Sequence, residues 1–272
     1  MRQLSKQERR HLVDNVNKTL YIPLYGKAYV SSRGLLLEDK QAEKIWEAEG
    51  FELKGKAKSK WLAYTMGMRS AVFDRWTKHQ METSPDAVIL HVGCGMDSRC
   101  MRVGTKTHQW YDVDFPEVIA ERKRYFRETD SYHMIGSDIR EASWLSGIPE
   151  GKPAIIVMEG VSMYLKPEEL KEVLKVWKER FGEVRILMDT YTVFAAKATK
   201  YKNPINEVGV TEVYGLDDPR SLLEGTDFSE VQEHSLAPED LISQLPKREQ
   251  GFFRHVFAGK MAKKIYRLYE YQ

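Results

Sequence analysis

Cysteine is scarce in this 272-residue chain: Cys94 and Cys100 are the two it has, close together, with no secretory-type leader ahead of them. A disulfide framework is therefore not expected. The opening Met1-Arg2-Gln3-Leu4-Ser5 lacks an apolar core of the signal-peptide kind. No apolar run approaches the ~18 residues needed to cross a bilayer. These absences lead us to expect a cytoplasmic protein with no membrane partner. Excess charge of one sign is also missing, since 42 Lys and Arg stand against 40 Asp and Glu, a net charge of +2. Nucleic acid is accordingly not an expected partner. No His, Cys, Asp or Glu cluster has the spacing of metal ligands, so no metal is expected. Internal repeats and low-complexity segments are absent too. What remains is a chain that is 42% hydrophobic, enough to bury a full core in one large α/β domain carrying a cap.

The first 80 residues read as helical and show no strand-like alternation. Ala42, Ile45, Trp46 and Ala48 recur at helical spacing, as do Leu62, Met66, Arg69, Phe73 and Trp76 across Ser59 to Lys78. Between these segments Lys54, Lys56, Lys58 and Lys60 alternate along a short linker and read as a solvated stretch. From Ser84-Pro85-Asp86 the pattern changes. The apolar, β-branched run Ala87 to Val92 ends at a glycine and predicts a buried strand. Further strands are predicted at His108 to Phe115, Met134-Ile135, Pro153 to Met158 and Arg185 to Asp189. Helices are predicted from Pro116 to Phe126 and from Pro167 to about Phe181. Phe228 to His234 and Ile265 to Tyr271 supply two more strands, and one of them is expected to run antiparallel. The alternation predicts an α/β fold: a Rossmann-like, doubly wound, mostly parallel sheet of about seven strands. Residues 1–80 form its helical cap, 81–272 the ligand-binding domain, and 192–227, with Pro204, Gly209, Gly215 and Asp217-Asp218-Pro219, an irregular lid or insertion.

In such a sheet the ligand lies beyond the carboxyl ends of the strands. Gly93, Asp112, Asp114, Asp138, Glu159 and Asp189 all fall at or just past predicted strand ends, where a chance distribution would scatter acids over helix faces. The turn Gly93-Cys94-Gly95 allows a sharp bend and close backbone approach to a ligand. A dinucleotide site begins the same way. Here, however, Ser98 stands in place of a third glycine, and Asp97 puts negative charge where a pyrophosphate would lie. Asp114 comes about 20 residues beyond Gly93, the spacing at which a carboxylate accepts ribose hydroxyls. It suits a helix cap at Pro116 equally well, and Asp112, one strand step earlier on the same face, is a second candidate. Asp138 reads either as an acceptor for the adenine amino group beside the Ile139 backbone or as a turn former. Glu159 lies in an apolar stretch, where an acid needs a partner. The ammonium and sulfonium of S-adenosylmethionine (SAM) would supply one.

Three segments resemble the leucine carboxyl methyltransferase family. They are His91-Val92-Gly93-Cys94-Gly95-Met96-Asp97-Ser98-Arg99, Tyr111-Asp112-Val113-Asp114-Phe115-Pro116-Glu117-Val118-Ile119, and Glu159-Gly160-Val161-Ser162-Met163-Tyr164-Leu165. The family's bacterial branch includes tetracenomycin-type polyketide O-methyltransferases. The likeness extends upstream to Ile22-Pro23-Leu24-Tyr25-Gly26-Lys27-Ala28 and Arg69-Ser70-Ala71-Val72-Phe73-Asp74, and so covers most of residues 20 to 190. It implies a class I SAM-dependent methyltransferase. In that reading Arg69, with Lys27 as a second candidate, clamps the methionine carboxylate of SAM, and the Gly93 loop with Cys94 and Gly95 lies under the methionine and ribose. Asp114 takes the ribose, Asp138 and Ile139 the adenine, and Glu159 with Gly160 faces the cofactor. Tyr164 matches an aromatic near the methyl-transfer point. Cys94 and Ser98 depart mildly from the family pattern, and the C-terminal third offers no match.

The resemblance implies methyl transfer to a carboxylate or hydroxyl oxygen of a small-molecule acceptor, such as a polyketide or another metabolite. A carboxylate is already ionised and needs no base. A hydroxyl is helped by one, for which His133, His234 and His255 are candidates. Two other readings compete: an NAD(P)-dependent oxidoreductase on a similar sheet, and a SAM-binding regulator without catalysis.

Overall fold

A computed structural model of the chain describes residues 18–50, 53, 55–105, 107–199 and 213–272. The run Val88–Val92 forms β1 and is buried along its whole length, as a continuous apolar strand covered on both faces must be. Parallel to it lie β2 (Trp110–Asp114), β3 (Tyr132–Gly136), β4 (Ala154–Met158) and β5 (Val184–Tyr191). Two later strands, β6 (Val231–His234) and β7 (Tyr266–Tyr271), complete a seven-stranded sheet in the order β3-β2-β1-β4-β5-β7-β6. The last strand inserts between β5 and β6 and runs antiparallel to both. The expected fold class is therefore present, with the strand order reversing between β1 and β4. The crevice of such a sheet opens at that point, beyond the strands' carboxyl ends.

Side-chain alternation divides each strand between two cores. Val88, Leu90, Val92, Ile156 and Ile186 face α6 (Pro167–Phe181), whose Leu170, Leu174 and Trp177 cover them. Ile89, Ile155, Val157 and Leu187 face the N-terminal helices: α1 (Lys18–Ser31), α2 (Lys40–Glu49) and α3 (Lys60–Thr83). Leu24, Ile45, Phe73 and Trp76 of those helices fill that side. Between β1 and β2 lies α4 (Arg99–Val103), and α5 (Pro116–Arg122) follows β2. The α5 helix stops short of the expected Phe126. There the chain turns so that the Phe126 ring packs 3.9 Å from the Arg122 guanidinium.

The N-terminal helices approach closely because two glycines allow it. A Cβ at Gly26 would lie 2.5 Å from Met66 Cβ, and one at Gly67 would lie 2.7 Å from a Val30 methyl. Thus α1 and α3 meet backbone to side chain at two successive turns, which fixes their crossing. A second stretch of chain joins this layer. Between β6 and β7 lie α8 (Glu239–Ile242), α9 (Lys247–Phe257) and α10 (Lys260–Lys263). Leu241, Ile242, Leu245 and Phe253 from this stretch pack on Val30, Tyr64, Met68 and Ala71. Lys60, the last of the alternating lysines, pairs with Glu249 at 2.6 Å. Hence α1 and α3 share a core with residues far beyond the first 80.

The expected lid at 192–227 lies partly outside the described residues. Its described parts include α7 (Val193–Thr199) and a 3-10 turn at Pro219–Leu222. No helix among the described residues is long and apolar enough to cross a membrane.

Two glycine substitutions test the account of helix packing. Gly67→Ala adds a methyl against fully buried, β-branched Val30, and overpacking of this kind costs about 1–3 kcal/mol, more than the helix propensity gained. Gly251→Ala, within α9, meets nothing within 4 Å and should instead stabilise by about 0.5–1 kcal/mol. Urea unfolding should give shifts of opposite sign; shifts of the same sign would refute the packing argument.

Candidate active site

The strand face turned toward α3 carries polar side chains at its carboxyl end. Two-residue periodicity places His91 after Ile89, Asp112 and Asp114 after Trp110, Glu159 after Val157, and Asp189 after Leu187. Opposite them α3 presents Arg69, Ser70 and Asp74, all buried. The result is a buried ion network. Arg69 Nε donates to Glu159 Oε1 at 2.9 Å, and its Nη1 donates to Asp189 at 3.1 Å and to the Tyr266 hydroxyl at 2.7 Å. Arg99, fully buried, reaches Asp74 at 2.8 Å through Nε and pairs with Glu159 through Nη2. Arg102 binds Asp74, Asp39 and Asp97 at 2.6, 2.6 and 2.8 Å. Lys27 of α1 closes the network on Asp97 at 3.1 Å. Glu159 illustrates the electrostatics. Burial pushes its pKa up, but Arg69 and Arg99 outweigh burial and hold the carboxyl down at about 2.

Above this floor opens a cavity of about 680 Å³. Ten of the expected cofactor-site residues line it: Lys27, Arg69 and Glu159 at its charged floor, Gly93, Cys94, Gly95 and Gly160 at its turns, and Asp114, Asp138 and Ile139 along β2 and β3. Tyr164 lines it too. Gly93 (φ 64°) cannot carry a side chain, since a Cβ would stand 2.1 Å from Val161 Cγ2. Asp114 accepts the Gly95 and Phe115 backbone N–H groups at 2.7 and 2.8 Å, one on each oxygen. Burial outweighs those bonds and pushes its pKa up to about 6.

Two expected site residues do not come to the cavity. Asp112 lies one strand step below Asp114, a displacement of ~6–7 Å that takes it under the floor. There it pairs with Arg122 and accepts from Trp110 Nε1 at 2.8 Å and Tyr132 at 2.5 Å. Burial raises its pKa, but Arg122 and His91 outweigh burial and hold it at about 2. Of the two acids, only Asp114 lines the cavity. His255 stands exposed on α9, away from the cavity. The other candidate bases are also engaged elsewhere: His133 bonds Gln109 and stacks on Tyr111, and His234 bonds Glu270 at 2.6 Å.

The charge arguments made from the sequence need revision as well. Glu159 needs no ligand cation, because Arg69, Arg99 and the Ser70 hydroxyl already satisfy it. Asp97 is likewise neutralised by Lys27 and Arg102. Asp138 is held by neighbouring Arg140, with Nε 3.0 Å from Oδ1 and Nη2 2.5 Å from Oδ2.

Sequence reasoning missed Arg99, Arg102, Asp39, His91, Tyr191 and Tyr266. Arg99 and Arg102 did leave a signal: two arginines three apart in the short helix after a glycine turn, next to two buried cysteines. His91 lines the cavity with both ring nitrogens used. An arginine only donates, so Nε2 accepts from Arg99 at 3.1 Å and Nδ1 donates to Asp112 at 3.0 Å. Burial keeps this ring in its neutral form.

The network predicts that Arg99→Met, which leaves buried acids one cation short, lowers stability by ~3–5 kcal/mol. A wild-type urea midpoint in that variant would show that Arg99 is not needed.

A sequence profile of the leucine carboxyl methyltransferase family matches residues 4–177. The tetracenomycin polyketide synthesis O-methyltransferase TcmP of Streptomyces glaucescens is 34% identical over 155 residues, 57% of this chain and 57% of that protein. The leucine carboxyl methyltransferase 1 of Debaryomyces hansenii is 23% identical over 162 residues, 44% of each chain. The chain thus spans about half the length of these two relatives. Among solved structures, a DUF574 family protein from Streptomyces avermitilis shares the fold at TM-score 0.58 and 10% identity, covering 96% of this chain and 99% of that one. Magnesium protoporphyrin IX methyltransferase from Synechocystis, solved with bound S-adenosylhomocysteine (SAH), does so at TM-score 0.51 and 12% identity, covering 92% and 98%. This chain belongs to the leucine carboxyl methyltransferase family of SAM-dependent methyltransferases.

Proposed function

We propose that the protein transfers a methyl group from SAM to a carboxylate oxygen of a small, largely apolar acceptor. The observation that carries this reading is the charge balance beneath the cavity. Four cations, Lys27, Arg69, Arg99 and Arg102, face five acids, Asp39, Asp74, Asp97, Glu159 and Asp189. Asp114 adds a further acid with no basic partner among the described residues. A ligand with two positive groups and one negative group, a net charge of one, offsets part of that excess. A nicotinamide dinucleotide, with its doubly negative pyrophosphate, would add to it.

The residues present fit SAM. Arg69 Nη2 and two of the three Lys27 N–H groups make no hydrogen bond to a described residue, and both side chains line the cavity. They are free to take the methionine carboxylate. The unused lone pairs of Asp114 suit the ribose hydroxyls. Asp138 and Ile139 suit the adenine, with Arg140 giving up part of its hold on Asp138. When bound, SAM supplies an electrophilic methyl group and its own leaving group. The acceptor oxygen forms the new O–C bond while the C–S bond breaks and its electron pair goes to sulfur, leaving SAH. The protein's part is to hold the two reactants in line and keep water out.

The preference for a carboxylate rests on the state of the lining groups. Asp97, Asp138 and Glu159 are tied to cations, Asp114 accepts two backbone N–H groups, and His91 Nε2 accepts from Arg99. Asp114 keeps unused lone pairs, but in this reading they go to the ribose, so none of these groups is left to take a proton from a hydroxyl. An acceptor that arrives ionised needs no base.

Calorimetric titration with SAH and NADPH in parallel, together with radiolabelled methyl transfer into carboxylic acids, tests the reading. SAH should bind and NADPH should not; binding of the nicotinamide alone would overturn it. Lys27→Met, which leaves Asp97 its arginine partners, should keep the fold and weaken SAH binding at least tenfold. Protonation of Asp114 removes acceptor capacity. SAH affinity should therefore fall as pH drops through about 6, by up to tenfold per unit below it, and stay flat above. Asp114→Asn should bind weakly with no such slope. A wild-type profile flat from pH 8 to 5 would exclude Asp114 from the ribose site.

A further inference from the structure

The stretch from Lys247 to Ile265 carries six cations and one acid, in a chain whose net charge is only +2. That acid, Glu249, is taken up by Lys60 at 2.6 Å and by the Tyr64 hydroxyl at 2.7 Å. Arg254 pairs with Glu239. The other five cations, Lys247, Arg248, Lys260, Lys263 and Lys264, are exposed and make no ion pair to a described residue. Apolar side chains stand among them in water. Along α9 the pair Phe253 and Phe257, one turn apart, is spent on the core shared with α3. A second pair at the same spacing, Phe252 and Val256, is exposed. A helix with one face to bury needs only one apolar stripe, and α9 carries two. Met261 of α10, 64% exposed, and Ile265 continue the outer one.

This surface runs into the cavity. Ile265 is exposed and also lines the cavity, so it marks the mouth. The Trp61 ring lies 4.5 Å from that of Phe252, and the next residue, Leu62, is a lining residue. Thr192 fastens the backbone of Lys264 and Ile265, with its hydroxyl on Lys264 O at 2.6 Å and its N–H on Ile265 O at 3.1 Å. The α7 helix that starts after Thr192 thereby sets Phe194, 66% exposed, beside the same rim. We propose that this surface seats the protein on an anionic lipid bilayer, with the cavity mouth against the lipid. Cations interleaved with apolar tips suit that boundary: the tips enter among the acyl chains while the cations stay at the headgroup phosphates. Each such cation is worth about fivefold in binding. An acidic protein would match the charge alone. Lipid is favoured by the path from the apolar stripe to the mouth, a choice that rests on the reading above of a largely apolar acceptor. A molecule of that kind partitions into a bilayer and reaches the cavity from it without crossing water. The expectation of no membrane partner drew on the lack of a spanning run, and seating on one leaflet requires none.

The test is sedimentation of the full chain with mixed phosphatidylglycerol–phosphatidylcholine vesicles, beside vesicles of phosphatidylcholine alone. The mixed vesicles should bind it saturably and at least tenfold more tightly, with the difference shrinking as salt rises. Lys260→Glu combined with Lys263→Glu should weaken that binding at least tenfold. Lys152→Glu with Lys175→Glu makes the same change of charge ahead of β4 and on α6, and should leave it as in the wild type. Both double variants should keep SAH affinity, which reports an intact fold. Entry of the apolar tips is read separately. Cys94 and Cys100 are buried, so a Met261→Cys variant takes a nitrobenzoxadiazole dye at that position alone. Its fluorescence should rise several-fold on the mixed vesicles, and the same dye on a Lys152→Cys variant should not respond. Equal binding to both kinds of vesicle, wild-type binding by the Lys260 and Lys263 variant, or a silent dye at position 261 each overturns the proposal. Tight binding of soluble polyglutamate with that dye silent on vesicles would overturn it in favour of an acidic protein. Vesicle binding is read without SAM, so its failure with SAH affinity intact strikes this proposal and leaves the proposed function standing.

Discussion

The buried guanidinium of Arg99 joins the parts of this protein that the sheet alone would leave separate. It touches Asp74 on α3, His91 on β1 and Glu159 at the end of β4. Arg102, one helical turn on, adds Asp39 ahead of α2 and Asp97 in the glycine loop. Ionised groups out of water are tolerable only where every partner is in place, so such a network has one arrangement and a high cost for any other. The position of α3 and of the start of α2 over the sheet follows from that demand. So does the cavity, since the network forms its floor.

The same interaction explains how a ligand-binding floor can be rigid and still receptive. The arginines spend most of their donors on protein acids. What is left over, one face of Arg69 and two N–H groups of Lys27, is a small anion-binding capacity set into a region with more acids than bases. A zwitterion carrying an extra positive charge suits that combination better than a polyanion. The end of the cavity lined by Tyr164, Tyr191 and Tyr266 is built on another principle: phenols in an apolar wall, held by packing and by a backbone staple.

Much of the architecture was legible in the chain because it depends on short-range pattern. The apolar runs at 88–92 and 154–158, the prolines opening α5 and α6, and the glycine turn at Gly93 each announce a local conformation that the tertiary structure keeps. The α8–α10 stretch was less legible. Its helices are short, and their apolar side chains, such as Phe253, are explained by contact with α1 and α3 far away in sequence. Asp112 and Asp114 could not be told apart by alternation, since both point to the same face. Depth along the strand separates them, and depth is set by how far Arg122 of α5 reaches beneath.

By itself, then, the sequence determined the α/β class, the strand ends where polar groups gather, and membership of the methyltransferase family, because periodicity and motif spacing are properties of neighbouring residues. Only the tertiary structure decided which charges are spent and which are free. Glu159, read as an acid awaiting a ligand cation, and Asp97, read as a charge set against a pyrophosphate, prove to be satisfied by arginines and a lysine from distant parts of the chain. His255 proves to be remote from the cavity, while Tyr191 and Tyr266, unremarked in the sequence, stand at its wall. The physical reason is that pairing of buried charges depends on distance in space, which the folded chain sets and local sequence does not record.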